Sequence, residues 1–172
     1  MASVIAEYGV EKAEEWATGL VSNLARRPQG NDRAQVKGIY EGLCDIAIIN
    51  NYYFGKLKYS EDPVQREWAK SMRLTFPNQE EGDRGAHINI SGGGVAKHSK
   101  NKESAIKLLE FLSNSKSQKM YSEINFEYPV NVKVEPSEEL VSWGNFREDK
   151  ISIEKIAQLS IDAQKIIDRV GW

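Results

Sequence analysis

The sequence predicts an α/β fold. Apolar residues recur at spacings of three and four through much of the chain, as on amphipathic helices. In Asp45-Ile46-Ala47-Ile48-Ile49, the run from Ile46 to Ile49 is continuously apolar and flanked by polar residues, as a parallel strand buried on both faces would be. The order of helix, short turn, helix and buried strand belongs to domains in which helices cover a sheet. A chain of 172 residues is long enough to bury a sizeable core.

The first helix is expected from Gly9 to Arg27, where Val10, Ala13, Trp16, Ala17, Leu20, Val21 and Leu24 keep the helical period. Arg26, Arg27 and Pro28 give it a cationic last turn and a stop, and Pro28-Gln29-Gly30-Asn31 reads as a turn. Asp32 and Gln35 have the capping-box spacing for a second helix, from about Arg33 to Glu41, with Val36, Ile39 and Tyr40 inward and Gly42 as its end. The apolar strand follows, and then Asn50-Asn51-Tyr52-Tyr53. In open α/β sheets ligands sit beyond the carboxyl ends of strands, and these four residues fall at such a place.

Asp62-Pro63 opens a helix running to about Met72. Arg73–Phe76 and Ala86–Ser91 read as short strands, with a polar loop between them and the tight connection Gly92-Gly93-Gly94 after them. Asn101–Ser113 is an amphipathic helix, and Ser115–Ile124 reads as another. An extended stretch follows Tyr128-Pro129. Two helices close the chain, near Ser137–Trp143 and Ser152–Val170.

Composition removes several function classes. The formal net charge is −2, so no basic excess exists to hold a nucleic-acid backbone. No apolar run approaches the roughly 18–20 residues that span a bilayer. Cys44 is the one cysteine, which excludes a disulfide framework and any cysteine-built zinc or iron–sulfur site; it reads as a small buried hydrophobe. Met1-Ala2-Ser3-Val4-Ile5 lacks the features of a signal peptide. His87 and His98 lack ligand spacing and read as surface or loop residues.

Tyr52-Tyr53 is the segment with distinctive chemistry. A phenol has a pKa near 10 and keeps its proton at neutral pH unless a strong cation takes that proton's place. A trivalent metal ion does so, as bound metal ions deprotonate thiols and water. Adjacent strand residues point to opposite faces. Both tyrosines therefore reach one ion only where the strand has ended and the chain bends, which Asn50-Asn51 and Gly55 permit.

The segment Asp45-Ile46-Ala47-Ile48-Ile49-Asn50-Asn51-Tyr52-Tyr53 resembles the strand and paired tyrosines of periplasmic ferric-ion-binding proteins, class II solute-binding proteins of ABC importers. Ala25 to Lys37, Ser91 to Lys102 and Phe126-Glu127-Tyr128-Pro129-Val130-Asn131 are similar to the same family, so the resemblance covers essentially the whole chain. It implies a type II periplasmic binding protein lobe, a mixed or parallel sheet flanked by helices, with extra C-terminal helices packing back across a second lobe. It implies ferric iron (Fe3+) as cargo, Tyr52 and Tyr53 as ligands, Asn50 beside a synergistic anion where one is used, and Lys56 as a nearby cation that balances the phenolates. Asp32 stands where some members carry an anion-contacting asparagine, and its carboxylate argues against a bound anion here.

The family has two lobes, with further ligands from segments preceding the part that this chain matches. Residues 1–172 are therefore expected to be the C-terminal lobe alone, with half of the iron site, weak or absent iron binding by itself, and a tendency to self-associate. The implied setting is periplasmic, the implied partner is a permease in the inner membrane, and no enzymatic activity is expected. Another metal or a small oxyanion on the same scaffold is the alternative. A hydrolase or transferase lacks any recognisable arrangement of catalytic His, Cys or clustered carboxylates.

Overall fold

The computed structural model describes residues 1–172. The first helix, α1, starts earlier than its period suggested and spans Ala2–Ser22, broken at Gly9, whose φ of 82° and ψ of 168° are not helical. Only glycine adopts that backbone without strain, which is why one helical stretch stops and another starts there. Past Ser22 the cap Asn23 ends the helix, so Leu24 to Arg27 lie outside it.

Helix α2 spans Asp32–Tyr40. Its cap is Asn31, whose side chain accepts from the Ala34 N–H at 3.2 Å, rather than Asp32. Val36 points inward as expected, whereas Tyr40 is exposed. Helices α3 (Tyr52–Lys58) and α4 (Pro63–Lys70) follow, the latter capped by Asp62, which accepts from the Val64 N–H at 2.8 Å. Helix α5 covers Lys102–Ser113 and α6 Ser115–Met120; α6 continues without a break into a π-helical turn, Tyr121–Asn125. The chain closes with α7 (Glu138–Ser142), α8 (Ile153–Gln158) and α9 (Ser160–Val170), so the expected last helix is two. Ser137 and Ser152 cap α7 and α8.

The expected sheet does not form. A strand is stabilised by a ladder of bonds to a neighbour, and the one bridge here is a parallel contact between Ala86 and Glu148. It consists of the Ala86 N–H donating to the Arg147 carbonyl and the Asp149 N–H donating to that of Ala86, each at 2.8 Å. Residues 45–49, 73–76 and 87–91 are irregular. Ile46 and Ile48 are 84% and 69% exposed, so the run that reads as buried on both faces has one face uncovered. Cys44, read as buried, is half-buried.

The chain forms two compact units. The first contains Met1–Gly30, Phe76–Asn89 and Phe146–Trp172. There α1 packs on α8 and α9 around Val4, Ile5, Ala13, Ala17, Ala163 and Ile166. The three alanines let the helix axes approach closely, and burial of the aliphatic side chains supplies the stabilisation. Arg84 ties the unit further by donating to the Ser3 carbonyl at 2.9 Å and to the Asp149 carboxylate at 3.2 Å. The second unit contains Asn31–Thr75 and Ile90–Asn145 and carries all five candidate site residues. Its core is Val36, Leu57 and Ala69, with Ile49, Phe54, Trp68 and Met72 packed against them.

Candidate metal centre

Tyr52 and Tyr53 are the first two residues of α3, so the bend that the pair requires is a helix start. The Asn50 and Asn51 carbonyls accept the opening bonds of that turn from Tyr53 and Phe54, at 3.1 and 3.0 Å. Asn50 is itself fixed by Asp32, whose Oδ1 accepts from the Asn50 backbone N–H at 2.7 Å and from its Nδ2 at 3.1 Å. Successive helical residues are roughly 100° apart around the axis, so neighbouring rings at a helix start are able to face the same space. The two rings stand 4.4 Å apart between centroids, with 31° between their planes. Lys56, one turn on, places Nζ 4.7 Å from the Tyr52 centroid as a cation over the ring face. The structure thus brings together Tyr52, Tyr53, Lys56, Asn50 and, through Asn50, Asp32.

The electrostatics favour a cation. Tyr52 is pushed up to about 12, first by its hydrogen bond to Tyr53, then by desolvation, and then by the Tyr53 phenol and the carboxylates of Asp32 and Glu127. These groups resist a bare phenolate, and the same anionic field attracts a positive ion. A multivalent cation that displaces the phenolic protons removes the repulsion and supplies the missing charge. Nowhere in the chain do three or more His, Cys, Asp or Glu residues gather as a metal site. His87 and His98 are both exposed, and His87 belongs to the other unit.

The support beneath the pair was not visible in the sequence. Gly55 lies under the ring of Phe126: a Cβ there would come within 2.3 Å of the Phe126 Cγ. Gly55 is thus required by a close approach as well as compatible with a turn. Phe126 follows the π-helical turn in the left-handed region, φ 59° and ψ 37°, is buried, and stacks on Tyr59 at 5.5 Å. Glu139 of α7 clamps the far end of α3. Its carboxylate accepts from Lys58 Nζ at 2.7 Å, the Tyr59 hydroxyl at 2.7 Å and Trp143 Nε1 at 2.9 Å. Burial raises the Glu139 pKa, but these three bonds outweigh it and hold the carboxyl below its ordinary value. The one sequence signal for Phe126 and Glu127 was the likeness of their segment to ferric-binding proteins. Glu139 had none.

No protein-family model matches the chain. Individual proteins do match. The chain is 41% identical over 172 residues to iron uptake protein A1 of Synechocystis, covering 100% of this chain and 47% of that protein. It is 27% identical to the major ferric iron-binding protein of Neisseria meningitidis, over 98% of this chain and 48% of the other. None of these names is that of an enzyme. Among solved structures, the ferric binding protein of Campylobacter jejuni superposes with a TM-score of 0.94 at 42% identity, over 99% of this chain and 53% of that one. A Trichodesmium protein (IdiA, FutA) in complex with iron and citrate superposes with a TM-score of 0.91 at 46% identity, over 99% and 54%. The chain therefore spans about half the length of the relatives it matches, and half to slightly more of the solved chains. Along essentially its whole length, this chain is a homologue of bacterial ferric iron-binding and iron uptake proteins.

Proposed function

We propose that this chain carries the tyrosine half of a ferric-iron site, with Tyr52 and Tyr53 as phenolate ligands, and serves a periplasmic solute-binding protein that delivers iron to an ABC permease. The observation that carries the reading is the side-by-side placement of the two phenols at the start of α3, within the anionic field of Asp32 and Glu127. Ferric iron is a hard acid that prefers anionic oxygen, and tyrosine ligates iron in haem proteins as well. The names of the relatives support iron over another metal. The carboxylate of Asp32, held against Asn50, opposes an oxyanion at this spot and so disfavours the anion-binding alternative.

Two phenolates leave most coordination positions of a ferric ion open, and we take residues 1–172 to be one lobe of a two-lobe protein. Iron held by this chain alone is accordingly weak, and tight binding needs ligands from the other half. Tyrosinate bound to ferric iron absorbs visible light by charge transfer. Ferric nitrilotriacetate, whose chelator fills the open positions, should therefore colour the chain, and Tyr52→Phe with Tyr53→Phe should abolish the colour. A double variant that binds iron as the parent does would overturn the assignment.

A further inference from the structure

Glu127 takes no part in the reading above except through its field, yet its position is built with some care. It follows Phe126, a non-glycine residue in the left-handed region, where a side chain is tolerated only if its surroundings hold it. What holds it is the ring wedged on Gly55 and stacked on Tyr59. Gly55 lies three residues after Tyr52, and residues three apart share a helix face. The turn that seats Phe126 therefore brings the next residue, Glu127, close to α3, near enough for its charge to act at Tyr52. The carboxylate is half-buried and oriented: Oε1 accepts from Asn125 Nδ2 at 3.0 Å and from Ser91 Oγ at 3.3 Å. Both bonds fall on one oxygen, which leaves the lone pairs of Oε2 for another partner. No cation of the protein pairs with Glu127 as an ion pair, in contrast to Glu123 one turn earlier, which meets Lys119 at 3.7 Å.

We propose that Glu127 is a further anionic group of the iron site, presented by the Phe126 turn and oriented by Asn125 and Ser91, whose charge helps hold the trivalent cation at Tyr52 and Tyr53. The inference rests on the tyrosine reading. Its physical basis is that a half-buried carboxylate, aimed by two neutral donors, interacts more strongly with a trivalent ion than a freely moving one does. A similar anion from an exposed, mobile side chain would be screened.

The test compares the full chain with Glu127→Gln, Glu123→Gln and the double Tyr52→Phe, Tyr53→Phe variant, each titrated with ferric nitrilotriacetate and followed by the tyrosinate absorption. Glutamine keeps an oxygen for Asn125 and Ser91 and removes only the charge. Glu127→Gln should weaken iron binding about tenfold or more and move the band to longer wavelength, because a ferric ion with less anionic company is a stronger acceptor of phenolate charge. Its thermal unfolding should match the parent, and Glu123→Gln should leave affinity and band in place. Unchanged affinity and band in Glu127→Gln, with the tyrosine variant colourless, would overturn the role of Glu127 alone. A parent chain without the band, or a tyrosine variant that retains it, would overturn the tyrosine reading and this inference with it.

Discussion

Gly55→Ala tests how the tyrosine pair is held. Alanine normally stabilises a helix interior over glycine by about 1 kcal/mol, and Gly55 sits in the middle of α3. Against that gain stands a Cβ placed 2.3 Å from Cγ and 2.6 and 2.7 Å from the two Cδ atoms of Phe126. Those atoms form the near side of a buried ring whose backbone is itself confined, so relief requires α3 and the Phe126 turn to separate. Overpacking of this kind costs about 1–3 kcal/mol, and at this depth of overlap the upper part of that range applies. The net expectation is a loss of about 1–2 kcal/mol, or roughly 2–4 °C of melting temperature per kcal/mol for a chain of this size. Urea and thermal unfolding followed by circular dichroism measure it. The ring can also be removed. Phe126→Ala alone should cost about 3–5 kcal/mol, but in its background Gly55→Ala should become stabilising by about 1 kcal/mol. If Gly55→Ala stabilises the parent, or the two changes are additive, the wedge between Phe126 and Gly55 does not hold α3 in place.

Other consequences are equally open to measurement. In alkaline absorbance titration one tyrosine, Tyr52, should ionise only near about 12, and Tyr53→Phe should bring that midpoint down, since its hydrogen bond is the leading cause of the shift; an unchanged midpoint would contradict that cause. Because the Glu139 carboxyl is held below its ordinary value, its contribution to stability is present above the unfolded carboxylate range, about 4.3, and fades as pH falls through its lower folded value. Glu139→Gln should accordingly lose about 1–3 kcal/mol near neutral pH and show a flatter acid limb in stability against pH. Ile166→Ala, at a fully buried site between α9 and α1, should cost about 2–5 kcal/mol with no effect on any iron colour. The uncovered Ile46 and Ile48, with the exposed Ile106, Leu108 and Phe111 of α5, should make the chain self-associate as concentration rises. Light scattering should show Ile46→Lys with Ile48→Lys shifting it toward monomer, and a parent that stays monomeric would contradict this.

Short-range chemistry explains which elements were legible. Asp62, Ser137 and Ser152 mark helix starts because each side chain accepts a bond from its own first turn, a fact decided within three residues. Asp32 was the expected cap of α2; the tertiary bond from Asn50 takes its side chain, and the cap falls to Asn31. The run Asp45–Ile49 carries a strand's composition, but a strand also requires a neighbour, and composition does not reveal whether one is supplied. Helix α3 was hidden because Gly55 reads as a turn residue, and only the ring of Phe126, distant in sequence, explains it. Tyr52 and Tyr53 stood out by their chemistry together with the likeness of their segment to ferric-binding proteins. Glu139, which holds α3 from a later segment, carried no local signature, and Glu127 carried only the likeness of its segment, since a carboxylate's role depends on partners that only folding supplies.

The central claim is that the phenols of Tyr52 and Tyr53 take ferric iron as phenolates. Resonance Raman spectroscopy of the chain with ferric nitrilotriacetate, excited in the charge-transfer band, measures this directly. The account predicts tyrosinate ring modes in the parent, fewer in each single Phe variant and none in the double variant. Iron bound without tyrosinate modes, or modes that persist in the double variant, would contradict it.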